Sequence, residues 1–156
     1  MQISFVETMS GTVRDERGVT HPISFSVCAV GVRGGHFTLK GVITAPPWAA
    51  REVSCEGTLV ISLRPRAITY HLTFDAAAQT LTLDAQKSPT PLHPLRSMTY
   101  MPTTIRDAHG VVVARGDMTF DLRHLPIFLA SYINGSQQRQ LDVRRRALDR
   151  LVLTGA

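Results

Sequence analysis

The chain has 156 residues, with 17 Lys+Arg against 12 Asp+Glu, a net charge of +5 and 44% apolar types. This length and apolar share predict one folded domain that buries about two-thirds of its unfolded surface, which excludes general disorder. No stretch approaches the roughly 18–20 uncharged apolar residues of a membrane-spanning helix. The opening MQISFVETMSGTVRDE has no basic n-region and no long apolar run, so no signal peptide is expected and the cytoplasm is the default location.

Alternation with period two dominates residues 1–122 and predicts strands. In the first segment Ile3, Phe5, Glu7, Met9, Gly11 and Val13 share one face, and the turn Arg14 to Gly18 ends it. His21 to Val32 alternates Ile23, Phe25, Val27 and Ala29 with Ser24, Ser26 and Cys28. Arg33-Gly34-Gly35 then signals a tight hairpin, since glycine accepts the positive φ such turns require. His36 to Thr44 places Phe37, Leu39, Gly41 and Ile43 together, and Pro46-Pro47 breaks the ladder.

A fourth strand is expected from about Arg51 to Leu63, with Cys55, Gly57, Leu59, Ile61 and Leu63 on one side. Ile68, Tyr70, Leu72 and Phe74 line the next, followed by the turn DAAAQ and a strand holding Leu81 and Leu83. Residues 88–97 carry three prolines and read as an irregular loop. Met98 to Ile105 resumes as a strand, Asp107-Ala108-His109-Gly110 turns the chain, and Val112 to Leu122 closes the series. About eight strands with short connections pair antiparallel as a meander. Their one dry and one wet face predicts closure as an up-and-down barrel, lipocalin-like, or a flattened version of one, with a two-sheet sandwich as the competitor. Gly31, Gly41, Gly57 and Gly116 fall inside strands, where glycine marks bends or bulges.

The pattern changes after residue 121. A short helix is expected at 122–133 and a basic one at 137–153, which makes residues 1–135 a barrel-like domain and 136–156 a C-terminal helix. Residues 123–156 hold six arginines against two aspartates, so most of the net charge lies here. The run Arg144-Arg145-Arg146 is read as a solvated face for an acidic protein partner. No zinc spacing, RNA-recognition signature or aromatic interleaving supports nucleic acid.

Cys28 and Cys55 lie inside strands and are expected to be reduced packing residues. None of the six histidines falls in a metal-site spacing. His21, His36 and His109 are expected to be solvated beside turns, and His71 to face outward opposite Tyr70 and Leu72. No nucleophile elbow, P-loop or dinucleotide fingerprint is present, so no cofactor is expected. Glu7 stands out as an acid among inward-pointing apolar groups, fit for a general base or a ligand anchor. Tyr70, Phe74 and Tyr100 join it as candidate ligand-binding residues.

Several stretches resemble a known family. These are F-x-E-x-M-x-G (Phe5, Glu7, Met9, Gly11), Gly41 with Ile43, C-E-G-T-L (Cys55 to Leu59) and ITYHLTFDAAAQTLTLDAQK ending at Lys87. Thr103-Thr104 and the spacing from Gly116 to Leu122 also fit. Over about residues 3–135 the chain resembles a bacterial β-rich accessory domain fused to, or encoded beside, GMC-type flavin oxidoreductases of the cholesterol-oxidase-like group. It departs from that pattern where PTPLHP replaces an acidic loop, and it carries no flavin fingerprint. The resemblance implies a non-catalytic partner of such an oxidoreductase, or a module binding a lipid- or sterol-like molecule. The alternatives are a small barrel enzyme using Glu7 as acid/base and a purely structural interaction protein.

Overall fold

The computed structural model describes residues 4–46, 48–90, 92 and 100–120. Eight strands form among them: β1 (Ser4–Asp15), β2 (Thr20–Arg33), β3 (His36–Ala45), β4 (Ala49–Leu63), β5 (Arg66–Ala76), β6 (Gln79–Lys87), β7 (Tyr100–Arg106) and β8 (Val112–Phe120). Each pairs antiparallel with the next in sequence. β8 returns to β1, from Met9 opposite Phe120 to Asp15 opposite Ala114, so the sheet closes as a barrel. Closure gives every strand a hydrogen-bonded neighbour on both sides, which decides against the sandwich. The expected helices at 122–133 and 137–153, and Arg144, Arg145 and Arg146, lie outside the described residues.

The alternation read from the sequence is the inside–outside alternation of the barrel. Met9, Phe25, Leu39, Ile43, Leu59, Leu72, Leu81, Leu83, Met101, Ile105 and Met118 point inward and are buried. An eight-stranded barrel encloses just enough space for such side chains to fill. At about 25 cal/mol per Å² of apolar area removed from water, this core is the main favourable term in folding. The outward face is not uniformly wet: Ser4, Val6, Ser26 and Cys28, all on outward positions of β1 and β2, are buried as well. Strict alternation cannot reveal that, because it reports which face a residue occupies and not what covers it.

Gly31 marks a register shift in the β2–β3 ladder, as expected of a strand glycine. Both cysteines are buried and neither is in a disulfide. Burial pushes the Cys55 thiol up to about 12, which keeps it protonated and unreactive at neutral pH.

Two of the four hairpins at one end of the barrel are built alike. In the β1–β2 turn the Asp15 Oδ1 accepts from the N–H of Arg17 and of Val19, both at 2.9 Å. In the β7–β8 turn the Asp107 Oδ1 accepts from the N–H of His109 and of Val111, at 2.8 and 3.0 Å. In both, glycine three residues on takes φ +79°, a left-handed conformation that residues with a β-carbon resist. The shared D-x-x-G-V is visible in the sequence as Asp15 to Val19 and Asp107 to Val111.

Asp15 has a further tie. His21 is not simply solvated: its Nε2 lies 2.8 Å from the Asp15 Oδ2, and its ring meets Trp48 edge-on at 5.9 Å. The His21 hydrogen bond, followed by the Val19 amide, holds the Asp15 carboxyl below its usual range. A carboxyl with a depressed folded pKa stabilises above its unfolded pKa and loses that contribution as pH falls through the folded value. Exchange of the Arg17 and Val19 amide protons should therefore quicken, relative to the rest of the barrel, only below about pH 4. In His21→Ala that onset should move to higher pH. An onset unmoved by the substitution would remove the histidine from the account.

Candidate functional site

Near the opposite end of the barrel the interior is not apolar. Glu7 of β1, Tyr70 of β5 and Lys87 of β6 converge inside, at 4%, 1% and 3% exposure. Each sits on an inward position for an ordinary reason, the period-two alternation of its strand. Glu7 stands between Phe5 and Met9, Tyr70 precedes Leu72 by two, and Lys87 follows Ala85 by two. Closure of the sheet brings three strands distant in sequence to one point.

The contacts are specific. The Tyr70 hydroxyl donates to Glu7 Oε2. The Lys87 ammonium donates to Glu7 Oε1 and forms a buried ion pair with it. The same ammonium lies over the face of the Tyr70 ring, 5.2 Å from its centroid, where the ring quadrupole attracts a cation. Burial, then the charge of Glu7 and the hydrogen bond to it, pushes the Tyr70 phenol well above its usual range, so it stays protonated and acts as a donor.

The cluster lies below one mouth of the barrel. β1 begins and β6 and β8 end at this mouth, and among the described residues Phe5, Phe37, Ile61, Ile68 and Phe120 hold inward positions there. Phe5 and Phe37 meet edge-on with centroids 5.4 Å apart. Ile61 is 36% exposed although it continues the inward series Cys55, Gly57, Leu59. Ile68 is half-buried against the core and opposite Lys87 in the ladder. The result is an apolar rim over a polar floor.

Of the residues named from sequence, Glu7 and Tyr70 meet here. Phe74 does not: it is buried in the core opposite Cys55 and Leu81. It lies four residues further along β5, roughly 13 Å toward the other end. Tyr100 needs correction, because it points outward, is 43% exposed, and its hydroxyl donates to Asp117 Oδ1 at 2.7 Å. The reason is parity: Met101, Thr103 and Ile105 take the inward positions of β7, which leaves Tyr100 outside.

Lys87 is the member that sequence reasoning did not assign to the site. Its signal was a lysine two positions beyond the inward Leu81-Leu83-Ala85 series, where a solvated side chain would be out of phase. Outside the barrel, His71 faces solvent as expected and its Nδ1 lies 2.6 Å from Asp84 Oδ1. Among the described residues no three His, Cys, Asp or Glu side chains are grouped to hold a metal ion, and no helix is long and apolar enough to cross a membrane. No protein-family model, curated protein or solved structure matches this chain.

Proposed function

We propose that the chain is a non-enzymatic β-barrel module that binds an apolar small molecule through the mouth framed by Phe5, Phe37, Ile61 and Ile68. The observation that carries this reading is the apolar rim above the buried Glu7–Tyr70–Lys87 cluster. An exposed isoleucine on an inward-facing position stays in water unless something covers it. A buried ion pair contributes little stability compared with well-packed apolar residues of the same volume, so its place in a core favours a role beyond folding. Pockets for small molecules commonly combine this kind of apolar lining with a few convergent polar groups.

The enzyme reading is weaker on the same geometry. A general base needs an oxygen within reach of a substrate proton, and both Glu7 oxygens are already engaged by Tyr70 and Lys87.

Native mass spectrometry of the full chain purified from cell extract tests the proposal. The expected result is an adduct that leaves on collisional activation and partitions into organic solvent. Ile61→Arg, which places a charge on the rim, should deplete the adduct while leaving the far-UV spectrum unchanged. A bare mass from extract, with no uptake from a mixture of alkyl, terpenoid and sterol probes, would overturn it.

A further inference from the structure

The hairpins built on Asp15 and Asp107 stand at the end of the barrel away from the mouth, on strands joined by the β8–β1 ladder. A surface hollow of about 520 Å³ lies where these strands meet, lined by residues 14–16 and 112–115. β8 carries an extra residue there. Ile105 lies opposite Ala114 but Arg106 opposite Val112, so Val113 is a bulge. Val112 and Val113 are both half-buried and both contribute to the lining.

Arg14 and Arg115 face each other directly across the β8–β1 ladder. Both take outward positions, next to the inward Val13 and Ala114, and both are exposed. Side chains so placed start about 4.5–5.5 Å apart, and like charges there destabilise the strand pair. Nothing described offsets this: among the described residues neither arginine makes an ion pair or a side-chain hydrogen bond. Arg106 on the neighbouring strand is the contrast, since its Nη1 donates to Gly110 O at 3.2 Å and its Nε lies 3.7 Å from Asp84 Oδ2.

The nearby carboxylates are directed elsewhere. Asp15 holds an inward position opposite Ala114, its Oδ1 engaged by two turn amides and its Oδ2 by His21. Asp117 accepts from the Tyr100 hydroxyl. Glu16 is exposed on the hairpin and forms no ion pair with either arginine.

We propose that Arg14 and Arg115 bind an oxyanion, a phosphate or carboxylate group, carried on a short apolar body that lies against Val112 and Val113. A guanidinium has only donors to offer, in a planar fork that matches such oxygens. One oxyanion between the two forks replaces a repulsion with two attractions. The half-buried valines beside them give the body of the molecule a surface on which to leave water. A cation is repelled by both arginines, and a neutral molecule leaves their repulsion in place. The site is outside the barrel, at the far end from Phe5 and Phe37, and does not depend on the binding role proposed for the mouth.

Titration of the full chain with butyl phosphate, pentanoate, inorganic phosphate and butanol tests it. Ionic strength is held constant with chloride, so that general screening does not change. The methyl signals of Val112 and Val113 and the Nε–H signals of Arg14 and Arg115 report binding. Butyl phosphate or pentanoate should saturate these signals, and the tighter of the two names the oxyanion. Butyl phosphate should bind about fourfold more tightly than inorganic phosphate, which corresponds to covering roughly one methylene. Butanol should not bind.

Arg14→Gln and Arg115→Gln should each weaken binding about fivefold, the upper end for an exposed ion pair. Arg17→Gln, on the same hairpin but outside the hollow, should leave it unchanged. Far-UV spectra confirm that these exposed substitutions keep the fold. If inorganic phosphate binds as tightly as butyl phosphate, the apolar part of the assignment is wrong. If the Arg14 and Arg115 variants bind like wild type, or the Arg17 signals move as much as those of Arg14, the anions only screen surface charge and there is no site.

Discussion

Gly41→Ala or Gly57→Ala should each cost the barrel about 3 kcal/mol or more, at or above the upper end for inserting one methyl into a packed interior. A β-carbon on Gly41 would sit 1.9 Å from the Ser26 carbonyl oxygen and 2.7 Å from the Val27 Cα. One on Gly57 would sit 1.8 Å from the His71 carbonyl oxygen. These neighbours are backbone, held in ladders on both sides, so no side chain can rotate away. Gly41 lies opposite both Val27 and Cys55, and Gly57 opposite both Leu39 and Leu72. The two glycines therefore mark one bend running across β2 to β5.

Gly11 and Gly116 do the same where β8 meets β1, with β-carbons that would fall 2.0 and 1.9 Å from the carbonyls of Asp117 and Thr12. Sheets of this curvature place glycine where the inner face folds most sharply. The contrast is Gly18→Ala, where nothing lies within 4 Å and only the positive φ resists. That change should cost about 1–2 kcal/mol. Urea denaturation of the three variants checks the order. If Gly41→Ala and Gly57→Ala lose no more than Gly18→Ala, the bend is not enforced by close backbone approach.

The strands and their connections were legible because each inward position is apolar and each turn carries its own chemistry. Gly34-Gly35 supplied positive φ at both turn positions, and Asp107 with Gly110 supplied an aspartate acceptor and a left-handed residue. Barrel closure was favoured over a sandwich only by the cost of free edges, since pairing of β8 with β1 leaves no local mark. The site was legible by halves. Glu7 and Tyr70 broke an apolar pattern and could be picked out. Their meeting could not, because it depends on how far each ladder is staggered around the barrel, which no single strand records.

A lysine at a strand end reads as solvated, and only the parity of Lys87 with Leu81 and Leu83 argues otherwise. Tyr100 suits a ligand site by its type but not by its parity, which places it outside. His21 adjoins a turn, which in sequence reads as a solvated position. Its tie to Asp15 crosses that turn and is set by the hairpin geometry.

The response of the polar cluster to substitution separates an ion pair from two independent polar residues. Lys87→Met removes the ammonium and leaves the Glu7 carboxylate in an apolar interior with, among the described residues, the Tyr70 hydroxyl as its donor. Breaking a buried pair from one side typically costs about 3–5 kcal/mol, so Lys87→Met should be among the most damaging single changes in the chain. Adding Glu7→Gln should then restore stability instead of lowering it further. The glutamine carbonyl still accepts from Tyr70, and the charge that methionine cannot compensate is gone.

The double variant should lie within about 2 kcal/mol of wild type, the residual reflecting one imperfectly paired buried amide. Two residues acting independently would give costs that add. Here the second substitution should offset most of the first, so the coupling is of opposite sign to that of the Lys87→Met loss. Urea midpoints for the two single variants and the double variant at neutral pH measure it. If Lys87→Met costs less than about 1 kcal/mol, or if Glu7→Gln worsens it, then Glu7 and Lys87 do not form a buried pair in solution. The polar floor on which the proposed binding role draws would go with it.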